Sequence, residues 1–180
     1  MAVYPPSDLA ESVLEAPRDA LYGWTAERLV KKQTALGVSA FLYFFDHGYP
    51  AADAAGLHAF HASEIPYVFG TAARTPPLWP KVPAEPPEKH LSEMMTAYWV
   101  AFARDGSPDA PGQPHWLPYG ANHAYMALAD IPKAGTHLLP GMYELHERVV
   151  CRRRANGGIP WNWNVGIISP PLPAEVPGCR

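Results

Sequence analysis

The sequence predicts an α/β fold with an incomplete sheet, and three observations carry that reading. Two apolar runs of strand length stand far apart in the chain, three longer stretches repeat their apolar residues at helical spacing, and 22 prolines divide the chain into pieces. The first run, "SAFLYFF" from Ser39 to Phe45, is continuously apolar and aromatic and ends at "DHG", the pattern of a strand buried on both faces. The second, "HAYMALA" from His123 to Ala129, alternates in the manner of a strand. Two strands alone leave their outer N–H and C=O groups without partners, so such a sheet needs further neighbours.

The helices follow from periodicity and stop signals. Arg18 to Ala35 sets Leu21, Trp24 and Leu29 against charged residues, and Gly37 terminates it. Ser92 to Arg104 repeats Met95, Tyr98, Trp99 and Phe102 at three- and four-residue steps; Ser92 is a candidate N-cap and Asp105-Gly106 a stop. "GMYELHERVVCRRRANGG", Gly141 to Gly158, gives a third helix closed by its glycine pair. The proline-rich segments Thr75 to Pro87, Gly106 to Pro118 and Ser169 to Gly178 read as ordered loops or extended stretches, because proline fixes φ and removes a backbone donor.

Bulk properties exclude several function classes. A chain of 180 residues suffices for one domain, which hides roughly 70% of its unfolded surface. With 48% hydrophobic and 17% charged residues it is globular rather than disordered. The net charge of −3 and a single basic cluster, Arg152 to Arg154, give no electrostatic footprint for nucleic acid. No apolar run reaches the ~18 residues of a membrane span, and "MAVYPPSDLAES" lacks the regions of a signal peptide. Cys151 and Cys179 form no CxxC motif, and the sequence does not establish a disulfide between them.

The stretch "GLHAFHASEIPYVFG", Gly56 to Gly70, holds the candidate chemistry. His58, His61 and Glu64 recur every three residues, a spacing compatible with metal ligation, but the H-E-x-x-H arrangement is absent and Pro66 follows. A histidine in such a loop is ordinarily a satisfied structural residue. Its place beyond the end of the Ser39 to Phe45 strand argues otherwise, since reactive groups of open α/β sheets gather in the loops past the carboxyl ends of strands. A histidine there can serve as a general base near neutral pH.

Three blocks in fixed order extend this reading: the aromatic strand ending in Asp46-His47, "H-x-x-E-I-P-Y-V-F-G" from His61 to Gly70, and "MMTAYW-x-x-FAR-x-G-x-P" from Met94 to Pro108. With Pro114, Trp116 and Tyr119 in a following "P-x-W-x-x-Y", they resemble the C-terminal part of type-B carboxylesterases, the cholinesterase-like branch of the α/β-hydrolase fold. The resemblance is strongest over residues 20–130. It implies a domain segment at residues 1–154 and an irregular proline-rich tail at 155–180. It also implies that His61 is the base of a Ser-His-Glu triad and that Glu64 is a supporting residue rather than the triad acid. His58 has no counterpart and is read as a loop residue. Tyr67, Val68 and Phe69 are expected to lock the base loop onto the fold, and Tyr98, Trp99 and Phe102 to bury a helix face.

The departures from that pattern are as informative. No G-x-S-x-G elbow exists in the sequence; "GVSAF", Gly37 to Phe41, lacks the second glycine and runs into a strand, so Ser39 is a poor nucleophile. The oxyanion-hole glycines and the triad acid are missing too, and in the family's order all three precede the histidine. The expectation is therefore an ester-hydrolase segment that needs the N-terminal part of the esterase domain as partner, acts on a small-molecule ester when complete, uses no cofactor or metal and is inactive alone. The alternatives are a non-catalytic remnant or interaction module of the same fold and, less well supported, a metal-dependent hydrolase using His58, His61 and Glu64.

Overall fold

The computed structural model describes residues 3–155. The tail from 156 onward, with Cys179 and the Gly157-Gly158 stop, lies outside the described residues. Among the described residues six α-helices and three strands follow one another as α1 (Leu9–Arg18), α2 (Trp24–Ala35), β1 (Tyr43–Phe45), α3 (Pro50–Ala54), α4 (Ile65–Val68), α5 (Pro86–Asp105), β2 (Ala124–Leu128), β3 (Lys133–Thr136) and α6 (Met142–Ala155). The described residues divide into two compact units, Val30–Leu138 and a second made of the segments that precede Val30 and follow Leu138.

The unit Val30–Leu138 holds the sheet, in the order β1-β2-β3. β1 runs parallel to β2, with Tyr43 opposite Met126 and Phe45 opposite Leu128; β3 returns antiparallel, with Ala124 opposite Thr136. A parallel pair needs a long crossover, and α5 lies within it. Ala124, Met126 and Leu128 point into the core while Tyr125 and Ala127 lie half-buried, the period-2 signature expected of β2. Against that face pack Leu91, Met95 and Tyr98 of α5, with Tyr49, Tyr67 and Trp116 from the loops and α4.

Several expectations change on contact with the structure. β1 is only three residues long and Tyr43 is 37% exposed, so the aromatic run is not a strand buried on both faces. A third strand, "KAGT", pairs where no strand was expected, because a short polar edge strand carries no hydrophobic alternation. α5 begins six residues before Ser92, at Pro86-Pro87: proline suits the first helical positions, whose N–H groups have no intrahelical partner. Ser92 is therefore not the cap; its hydroxyl lies inside the helix and donates to the Tyr67 carbonyl at 2.9 Å. The stop is as expected, with Gly106 left-handed at φ 72° and its N–H on the Phe102 carbonyl at 2.8 Å. The loop 106–118 is held by side chains, Tyr98 Oη donating to the Pro114 carbonyl at 2.7 Å and Trp116 Nε1 to the Leu42 carbonyl at 3.1 Å.

In the other unit the helix expected from Arg18 begins earlier, at Leu9, and is interrupted. Pro17 removes a donor inside α1, and a π turn, Asp19–Gly23, follows, with the Trp24 N–H reaching back five residues to the Asp19 carbonyl. Gly23 faces α6 closely enough that a Cβ would meet Met142 Cε at 3.2 Å. Polar groups do much of the joining here. Tyr4 Oη lies 3.1 Å from Asp19 Oδ2 and 2.9 Å from His146 Nε2, while Trp24 Nε1 and Arg28 Nη1 both donate to Glu147 Oε1, at 2.9 and 2.5 Å.

Candidate functional site

The loop that carries His61 lies between the end of β1 and α5, and its geometry follows from short-range backbone bonding. After α3 the chain turns at Gly56 (φ 67°), and His61–Glu64 forms a turn that leads straight into α4. The Ser63 N–H donates to the Phe60 carbonyl at 3.0 Å, and the Tyr67 and Val68 N–H groups both donate to the Glu64 carbonyl, at 3.0 and 3.1 Å. Ala62, directly after His61, is left-handed at φ 68°, a conformation that L residues seldom adopt. His61 is exposed and Glu64 half-buried. Between them Ser63 is 2% exposed, and its Oγ has no hydrogen-bond partner among the described residues.

α4 ties this turn to the core. Tyr67 is fully buried; its carbonyl accepts from Ser92 Oγ and from Thr96 Oγ1 at 3.2 Å, and its hydroxyl donates to Glu88 Oε2 at 2.5 Å. Glu88 Oε2 also lies 2.9 Å from His47 Nε2, and the opposite ring nitrogen, His47 Nδ1, lies 2.6 Å from Asp130 Oδ1. A chain of polar contacts thus runs from exposed Asp130, at the end of β2, through buried His47 and Glu88 to the residue six positions after His61. Burial first, and then the hydrogen bond and charge of Glu88, push the Tyr67 phenol far above its ordinary range, so it stays a donor. The sequence singled out "DHG" only as the end of a strand, and Glu88 not at all. The available signals were a histidine at the carboxyl end of a buried strand and a glutamate in the first turn of a helix whose neighbours are apolar.

His58 stands apart from this arrangement. It is exposed and left-handed (φ 47°), and its Nδ1 lies 2.9 Å from Asp53 Oδ1 at the end of α3. Among the described residues no group of three or more His, Cys, Asp or Glu side chains could hold a metal ion, so His58, His61 and Glu64 do not converge on one. Tyr67 and Val68 are buried as expected, but Phe69 is 72% exposed and does not help lock the loop. Tyr98 is buried, whereas Phe102 is half-exposed and meets Phe41 edge-on at 5.8 Å.

Comparison with known proteins places this arrangement. Mouse carboxylesterase 1C is 30% identical over 126 residues, covering 68% of this chain and 22% of its own length. The medium-chain fatty acyl-CoA hydrolase precursor of the duck Anas platyrhynchos is 29% identical over 157 residues, 82% of this chain and 27% of its own. Among solved structures, the Geobacillus stearothermophilus carboxylesterase EST55 at pH 6.2 superimposes with a TM-score of 0.54 at 26% identity, over 66% of this chain and 24% of that one. An esterase from Clostridium hathewayi shares the fold at 22% identity with a TM-score of 0.54, over 66% of this chain and 23% of its own. The chain thus spans about a quarter of the length of these relatives. With the profile of the carboxylesterase family matching residues 5–144, and 66% of the chain superimposing on a solved carboxylesterase, the chain belongs to the carboxylesterase family.

Proposed function

We propose that this chain is the base-bearing part of a serine-dependent carboxylic-ester hydrolase and that His61 is the histidine of its Ser-His-Glu triad. In that role His61 takes the proton from a serine hydroxyl as the serine oxygen attacks the ester carbonyl, and returns it to the departing alcohol; water then releases the acid by the same route. Glu64 supports the base loop. The serine, the triad acid and the oxyanion-hole donors belong to the remainder of a carboxylesterase domain, which acts as the partner. The observation that supports this best is the contrast within one short segment: an exposed imidazole on a turn whose next helix is bonded at several points to the core. A base must be reachable yet fixed in direction.

Two measurements test it. The isolated chain should hydrolyse p-nitrophenyl acetate no faster than free imidazole; turnover abolished by His61→Ala would show that the chain holds a complete site. A chimera joining residues 5–144 to the N-terminal portion of the Geobacillus carboxylesterase should be active and lose at least ~10⁴-fold in kcat on His61→Ala. A second reading, a non-catalytic interaction module of the same fold, draws support from Leu9, Val13 and Leu14 on the outside of α1. It predicts a folded chimera that stays inactive although its serine is intact.

A further inference from the structure

The open end of the β2–β3 hairpin carries two histidines that have no part in the proposed ester chemistry. The strands pair Ala124 with Thr136, and the ladder runs one step further, where the His137 N–H donates to the His123 carbonyl at 2.9 Å. His123 and His137 are therefore cross-strand partners. Their ring centroids are 4.7 Å apart and their planes tilted by 54°. Both residues are left-handed, at φ 50° and 56°, a conformation that L residues seldom adopt and that gathers at ligand clamps.

One of the two rings is held in place from behind. Tyr119 is 2% exposed; its N–H donates to the Ala40 carbonyl at 2.8 Å and its carbonyl accepts from the Ala124 N–H at 2.9 Å. The His123 ring stacks on this anchored ring, with centroids 5.1 Å apart and planes 12° from parallel. His123 is half-buried and His137 exposed, so the pair is open to solutes. Two imidazoles that share one ion through bonds of about 2.0–2.1 Å have ring centres about 4.5–5.2 Å apart, for angles at the metal from square to tetrahedral. The observed 4.7 Å falls inside that interval. Rotation about χ2 aims a ring nitrogen while leaving the ring centre nearly in place, so aligning His137 needs no backbone movement.

We propose that His123 and His137 form a binding site for a late first-row divalent metal ion, Cu²⁺, Ni²⁺ or Zn²⁺, with water in the remaining coordination positions. Neutral imidazole suits these ions, whereas Mg²⁺ and Ca²⁺ select oxygen, and Cu²⁺ is the ion such nitrogens hold most tightly. Stacking on Tyr119 orders one ligand before the ion arrives, and the backbone bond keeps the second beside it, which lowers the ordering that binding requires. The site lies at the start of β2, with about 17 Å of strand between it and the Asp130 end. It is separate from His58, His61 and Glu64, and its effect is on the hairpin: an ion held there ties β2 to β3 at their open end.

Titration of the full-length chain, prepared without a polyhistidine tag, tests the site. One Cu²⁺ should bind per chain and broaden the amide resonances of Tyr119, His123 and His137 before any others. Zn²⁺ should shift the same resonances, and Mg²⁺ none. Broadening that begins at His58 and His61, or that spreads evenly over the eight histidines, would overturn the proposal. Asparagine tolerates the left-handed region, so His123→Asn and His137→Asn each remove one ligand and keep the turn. Each should lose about 100-fold in Cu²⁺ affinity, because a lone imidazole binds without the help of its neighbour. Unchanged affinity in either variant, with the Met126 amide still protected from exchange, would overturn the proposal as well. Should a variant lose that protection, the Cu²⁺ map of the unaltered chain decides alone.

Discussion

The two units of the molecule treat their apolar residues in opposite ways. In Val30–Leu138, Leu91, Met95, Tyr98, Met126 and Leu128 are essentially inaccessible, and a hydrogen-bonded chain through buried His47 links Glu88 of α5 to the ends of β1 and β2. In the other unit α1 is turned inside out: Leu9, Val13 and Leu14 are 59–70% exposed, while Ser12 faces inward and donates to the Pro5 carbonyl at 3.0 Å, with Asp19 also buried. Apolar burial is the main favourable term in folding, so a unit that leaves its apolar stripe outside and buries polar groups draws less stability from its own residues. One unit carries a core, and in the other α1 leaves its apolar stripe exposed.

That contrast can be broken by mutation. Leu128→Ala in the sheet should cost about 3–4 kcal/mol by urea unfolding, because the side chain is fully buried and leaves a cavity. Leu14→Ala on α1 should change stability by less than ~0.5 kcal/mol. Equal effects would mean that the two units do not differ in this way. Glu88→Ala should cost about 3 kcal/mol by the same measurement, since it strands the Tyr67 hydroxyl and one nitrogen of His47 together. Its amide-exchange signature should be loss of protection in α4 ahead of β2.

The smallest effect is a pH dependence confined to the unit containing α1 and α6. Burial holds His146 below its ordinary value of 6.5, opposed by the charge of Asp19; Tyr4 Oη is its hydrogen-bond partner and Arg18 is paired with Asp19. Below pH 6.5 the unfolded chain then binds more protons than the folded one, so the stability of this unit should fall as the pH drops from about 6.5. Chemical shifts of α6 followed from pH 8 to pH 5 check this, and His146→Gln should flatten the profile. A flat profile in the unaltered chain would remove the electrostatic half of the comparison.

How much of this was legible beforehand depended on local pattern. The ring spacing in α5 and the alternation in β2 are direct records of one buried face, and both elements are where that pattern puts them. β3 left no record, since an edge of Lys, Ala, Gly and Thr buries too little to impose a period. α1 went unread for a different reason: its apolar residues face out, and Pro17 hides the continuity of the helix. His61 and Glu64 could be singled out as candidates because the block that resembles the family motif is contiguous in sequence. The Asp130–His47–Glu88–Tyr67 chain was not, because its members come from four separate segments that only folding brings together.

The π turn after Pro17 has a consequence for phase. Each residue of an α-helix advances the side-chain direction by about 100°, so one residue accommodated in a wider turn rotates everything before it relative to everything after it by about that angle. The direction in which Leu9, Val13 and Leu14 face, relative to Trp24 and Arg28, is therefore set by a single surplus residue between Asp19 and Gly23. Deleting one residue there would leave composition, charge and helical content almost untouched and would swing the apolar stripe about a quarter of the way around the rod.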